Sequence, residues 1–94
     1  MRELIFTKIF QRRFKRVIEK NPKLIERIQL TLQMLEENPF QPALETHKLR
    51  GKLEHRLACT VSYDLRIIFR FEERLSPEQD AIILLAIGTH DEVY

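Results

Sequence analysis

The chain has 94 residues and a mass of 11.3 kDa, room for one domain (1–94) built around one core. Its 44% apolar content supports that core without staples, and a single cysteine, Cys59, excludes an intrachain disulfide or a multi-cysteine metal cage. The longest apolar run, Ala81–Ile87, is far short of the ~20 residues a membrane span needs. The N-terminus has no signal-peptide pattern, so a soluble cytoplasmic protein with no membrane partner is expected. The net charge of +2 hides an asymmetry. Residues 1–56 carry 13 Lys/Arg against 7 Asp/Glu, and residues 57–94 carry 3 against 7. A basic half of this kind suits an anionic partner, although a merely solvated face is the simpler explanation.

In chain order, Glu3–Thr7 reads as a short strand of apolar and β-branched residues, with Thr7 as N-cap of a helix. Phe10, Phe14, Val17 and Ile18 recur at helical spacing and predict a helix over Lys8–Lys20, with Arg12, Arg13, Lys15 and Arg16 on its other face. Asn21-Pro22 starts a second helix running to about Glu37, expected to bury Leu24, Ile25, Ile28, Leu32 and Leu35. Leu30 and Met34 lie off that stripe; they either widen the core face or receive an amphipathic segment of a partner. The short connection predicts a helical hairpin. Asn38–Thr46, with Pro39 and Pro42, reads as a loop.

The period then changes to two. Arg56–Ser62 predicts a strand around Leu57, Cys59 and Val61. In the next stretch Tyr63, Leu65, Ile67, Phe69 and Phe71 face one way, and Asp64, Arg66, Arg70 and Glu72 the other, with Ile68 the exception. Ser76-Pro77 marks a turn, and Asp80–Gly88 reads as an apolar central strand. The fold class is α+β: a strand, a two-helix hairpin, then a three-stranded antiparallel meander joined by the first strand, with the helices on one sheet face. The opposite face, carrying Asp64, Arg66 and Arg70, is left for function.

Phosphate-binding glycine loops, histidine pairs at metal-ligand spacing and nucleophile elbows are absent from the sequence. Cys59 suits a small buried hydrophobe better than a catalytic thiol. The densest polar cluster is His47–Arg56, where Lys48, Arg50, Lys52 and Arg56 can hold phosphates or simply solvate a hairpin entrance. His90 follows the last strand, and Tyr94 is the last residue given.

The strand-helix-helix opening, then His47-Lys48-Leu49-Arg50-Gly51, Tyr63-Asp64-Leu65-Arg66-Ile67-Ile68-Phe69 and Gly88-Thr89-His90-Asp91-Glu92-Val93-Tyr94, resemble the RelE/ParE superfamily of type II toxin–antitoxin toxins over nearly the whole chain. The histidine ahead of Leu-x-Gly and the Gly-Thr-His ending are most similar to the YafQ-like messenger-RNA endonucleases. The resemblance implies a cytoplasmic, metal-independent and cofactor-free endoribonuclease that cleaves ribosome-bound message through 2′-hydroxyl attack. Its partners would be a cognate antitoxin, message and ribosomal RNA, with DNA touched only through the antitoxin complex. It implies that His47 and His90 are catalytic histidines and Asp64 a functional aspartate. Arg66 would stabilise the scissile phosphate, and Tyr94 would be a functional aromatic. Histidine moves protons near neutral pH, arginine is a fixed cation matched to phosphate, and an aromatic ring can stack a base. Two positions depart from the patterns. Thr60 stands where the YafQ-like group has a further histidine, and the strand around Cys59 and Val61 lacks the basic residues of RelE proteins. A gyrase-inhibiting ParE-like toxin without nuclease activity and an inactive antitoxin-binding relative are the other two readings. His47 with His90 argues against the gyrase inhibitor.

Overall fold

A computed structural model describes residues 1–51 and 55–94 of the chain. The first strand, β1 (Leu4–Phe6), passes to helix α1 (Lys8–Lys20) at Thr7. The Thr7 hydroxyl accepts from the Phe10 N–H at 3.1 Å and donates to the Leu84 carbonyl at 2.7 Å, so one side chain caps the helix and ties it to the sheet. Asn21 closes α1 without a side-chain cap, and Pro22–Leu24 forms one 3₁₀ turn before α2 (Ile25–Glu37) begins. Asn21 stands at the N-cap of this turn, but its side chain makes no capping hydrogen bond. Ile28 and Leu35 are buried as expected, but Ile25, at the very start of α2, is 38% exposed. Thr31 is buried in its place, its hydroxyl donating to the Arg27 carbonyl four residues back at 2.9 Å. Met34 packs against the core, whereas Leu30 stays exposed.

The sheet has five strands in the order β1-β5-β4-β3-β2: β2 (His47–Lys48), β3 (Leu57–Thr60), β4 (Leu65–Glu72) and β5 (Ala81–Thr89), besides β1. β1 lies parallel to β5, and every other pairing is antiparallel. The α+β architecture, with the helices on one face, is thus as the pattern implied. β2 is an addition. Two residues are too few for a period to register, so the sequence shows only the polar cluster that begins at His47. Asp64 also moves: it lies in the turn Val61–Asp64 and not on the strand, which begins at Leu65.

One face of the sheet supplies Leu57, Cys59, Leu65, Ile67, Phe69, Ile82, Leu84 and Ile87 to the core, where they meet Phe10, Ile28 and Leu35 of the helices. Ile82 and Leu84 are two apart, but Leu84 and Ile87 are three apart. The register explains this: Ile68 pairs with Ala86 and Phe69 with Leu84, so Leu85 is an extra residue in β5. The bulge reverses the alternation beyond it. Ile87 returns to the core, and Gly88 lies opposite Arg66 on the face away from the helices. A short helix, α3 (His90–Val93), then folds back at the end of β5.

Cys59 is buried, and desolvation pushes its thiol up to about 12 against the pull of the Ile67 hydrogen bond and the Arg66 charge. The native protein is expected to resist thiol reagents at pH 8 and to react once unfolded; fast labelling in native buffer would contradict this burial.

Candidate active site

Four side chains, from β2, β4, α3 and the residue that follows α3, meet at one end of the face opposite the helices. β2 is the edge strand, and His47 pairs with Ala58 there, which sends its ring to the face away from the core. Glu45, just before β2, adopts a left-handed conformation (φ 50°), and its carbonyl lies 3.1 Å from Nδ1 of His47. That contact makes Nδ1 the protonated nitrogen of the neutral ring and leaves the Nε2 lone pair facing outward. The Tyr94 hydroxyl lies 3.4 Å from this Nε2, a long contact in which the phenol is the donor.

Tyr94 reaches back from beyond α3. Its ring meets that of His90 edge to face, with centroids 4.3 Å apart, and that of His47 at 6.3 Å. Partial burial raises its phenol above the usual value, opposed by the nearby Arg66 charge, so the hydroxyl stays protonated at neutral pH. Nδ1 of His90 is 3.6 Å from the Asp91 carboxylate, which can pair with the protonated ring.

Arg66 stands on β4 between Thr60 and Gly88 on the neighbouring strands. Its Nη1 donates to the carbonyls of Ser62, Tyr63 and Leu65 at 2.8, 3.3 and 3.2 Å. Among the described residues no carboxylate pairs with it, so its charge is not neutralised locally. The turn it braces is held from the other side by Arg27 of α2, whose Nε donates to the Val61 carbonyl at 2.7 Å. Asp64 is exposed on that turn, and among the described residues its side chain makes no hydrogen bond or ion pair. The structure therefore brings together His47, Tyr94, His90 and Arg66 and leaves Asp64 at the margin. Arg70 is exposed four residues further along β4, on the same face as Arg66. Lys48 points to the other side of β2, opposite Leu57, while Arg50 and Arg56 are exposed near it. Lys52 lies outside the described residues. Among the described residues no three His, Cys, Asp or Glu side chains are grouped as a metal site.

What holds α3 in place was legible but not read. Thr89-His90-Asp91-Glu92 has the spacing of a capping box. The Glu92 carboxylate accepts from the Thr89 N–H at 2.9 Å, and the Thr89 hydroxyl accepts from the Glu92 N–H at 3.3 Å. Gly88 supplies the room: a Cβ there would lie 3.2 Å from Glu92 Cβ and Oε1 and Val93 Cγ1. The hydrogen bonds from the Thr89 backbone and hydroxyl, then the charges of Lys20 and Arg13, lower the Glu92 carboxyl below its ordinary value of 4.5. A lowered folded-state value means that Glu92 steadies the turn above the ordinary value and that this support is lost as pH falls through the lowered one. Amide exchange at Thr89 and Glu92 is therefore expected to be faster in Glu92→Ala, and faster in the parent at low pH after correction for intrinsic rates. Unchanged protection in the variant would remove the cap from the account.

The sequence matches over residues 2–94 the family model described as the bacterial toxin of type II toxin–antitoxin systems, YafQ. The chain belongs to the YafQ toxin family. A copper-bound mutant toxin from Helicobacter pylori is 25% identical and has a TM-score of 0.73, with both chains covered in full. YafQ of the E. coli DinJ–YafQ complex is 17% identical with a TM-score of 0.75, over 100% of this chain and 99% of that one. A YoeB/ParE toxin from Agrobacterium tumefaciens, 14% identical, shares the fold with a TM-score of 0.76 over 94% of this chain and 98% of its own. A comparison with curated proteins gives no match. The expected kinship with RelE/ParE toxins therefore holds, on the YafQ side. No helix among the described residues is long and apolar enough to cross a membrane.

Proposed function

We propose that this YafQ-family toxin is an endoribonuclease that cleaves messenger RNA on the ribosome and that a cognate antitoxin restrains it, as DinJ accompanies YafQ in the E. coli complex. The observation that carries the reading is the convergence of two imidazoles, a neutral phenol and an arginine that no carboxylate among the described residues pairs with. In the proposed reaction the substrate's 2′-hydroxyl displaces Tyr94 from Nε2 of His47, which takes its proton as the 2′-oxygen attacks phosphorus. The long 3.4 Å contact makes that displacement easy. Arg66 meets the charge gathering on the phosphoryl oxygens. His90, protonated and supported by Asp91, gives a proton to the departing 5′-oxygen, leaving a 2′,3′-cyclic phosphate and a 5′-hydroxyl. Tyr94 holds the Nε2 side of His47 until the substrate displaces it, and then offers its ring to a base. Any contact with DNA is made through the antitoxin complex.

The test is induction in bacteria, with 5′ ends of messages mapped and plasmid supercoiling followed in parallel. New codon-phased 5′ ends are expected. Lost supercoiling without new ends would transfer the protein to gyrase inhibition, and neither effect would leave it an inactive relative.

A further inference from the structure

We infer that a second site, on the opposite side of the β2 edge from His47, binds an unpaired nucleotide of RNA by stacking its base on Phe40 and pairing its phosphates with Lys48, Arg50 and Arg56. An open cleft of about 860 Å³ lies there, lined by these residues together with His55 and Phe71. Residues 48–51 and 55–57, joined by the Leu49 N–H on the Arg56 carbonyl at 2.9 Å, form its wall. Successive residues of a strand point to opposite faces, so β2 turns His47 to the active site and Lys48 into the cleft, opposite Leu57. Phe71 lies five residues beyond Arg66 on β4, ~17 Å along the strand and on the other face. The cleft is thus separate from the reacting groups.

Its chemistry names the occupant. The described lining joins cations and aromatic rings to the aliphatic Leu49 and Leu57 and contains no carboxylate. Phe71 is already engaged, with the Arg2 guanidinium 5.2 Å above its ring and Phe40 tilted against it at 5.8 Å. Phe40 is the accessible platform, 56% exposed and tied at its backbone N–H to the Asn38 side chain at 3.0 Å. An exposed ring flanked by cations suits single-stranded nucleic acid, which stacks bases and neutralises phosphates together. A strand crossing the β2 edge would touch both sites. The inference needs RNA as the partner but does not need cleavage.

The sequence has no tryptophan, so Phe40→Trp introduces a single fluorescent reporter at the platform. It is titrated with a 2′-O-methyl single strand of about ten nucleotides, which cannot undergo 2′-hydroxyl attack. Saturable quenching is expected, and a strand made abasic throughout should not reproduce it. Phe40→Ala should weaken binding by about 5- to 150-fold, the equivalent of ~1–3 kcal/mol for one stacked base. Lys48→Gln should lower the salt slope of binding by ~0.7, one phosphate contact. Fluorescence unchanged while anisotropy reports the strand bound would overturn the inference, because the RNA then lies elsewhere. So would an affinity in Phe40→Ala equal to the parent's, or quenching produced only by a protein partner. Absence of cleavage by the parent on unmodified message would refute the nuclease reading and leave these results standing.

Discussion

His47→Gln is expected to lower single-turnover cleavage of ribosome-bound message by ~10²–10⁴, the range that a general base contributes. Glutamine can still reach the Glu45 carbonyl and the Tyr94 hydroxyl, so it keeps the hydrogen bonds and loses only the ability to take a proton. His47→Ala loses both and should be no faster. The side chain is exposed on an edge strand, so neither variant opens a core cavity, and thermal unfolding should stay near the parent's. His90→Gln belongs to the same experiment. If His90 protonates the leaving oxygen, its loss costs a similar factor, and the double variant should fall well short of the product of the two, because the groups act in one step. Tyr94→Phe, which keeps the ring and removes the hydroxyl, should cost far less than either. A parental rate in His47→Gln would take His47 out of the chemistry and leave it a strand residue that happens to face Tyr94.

The fold was open to reading wherever a long period carried it. α1 and α2, the β4 alternation and the apolar β5 each span enough residues for one face to declare itself, and the packing merely confirmed which face. The site was harder, because its parts depend on short features. β2 has two residues and is recognisable only by its pairing with β3. The Leu85 bulge, which decides that Gly88 faces Arg66, leaves no mark in a strand that is apolar throughout. Asp64 followed the alternation of β4 on paper, yet the Val61–Asp64 turn, braced by Arg27 and Arg66, takes it out of the strand. His90 and Tyr94 were reached through the family's ending, although Thr89 and Glu92 announce the capped turn by themselves. The family's motifs mark the two histidines, and the fold of α3 puts Tyr94 between them.

Arg66→Ala is expected to lower cleavage by ~10²–10³, the loss typical of removing a donor aimed at developing oxyanion charge. The arginine also donates to the carbonyls of Ser62 and Tyr63 in the β3–β4 turn and of Leu65 at the start of β4, so a second effect should accompany the first. Those carbonyls can turn to water, and the residue is partly exposed, so the structural loss should stay near ~1 kcal/mol, or ~4–8 °C in Tm for a domain of this size. Arg66→Lys separates the two roles. An ammonium can meet either the turn or a phosphate, but it lacks the planar fork that lets Nη1 hold the carbonyls and leaves Nη2 and Nε, which make no hydrogen bond among the described residues, for a phosphate. It should therefore recover most of the Tm and little of the rate. If Arg66→Lys restores the rate in step with the Tm, the arginine acts by holding the turn, and the phosphate must find its cation elsewhere, with Arg70 on the same face the next to test.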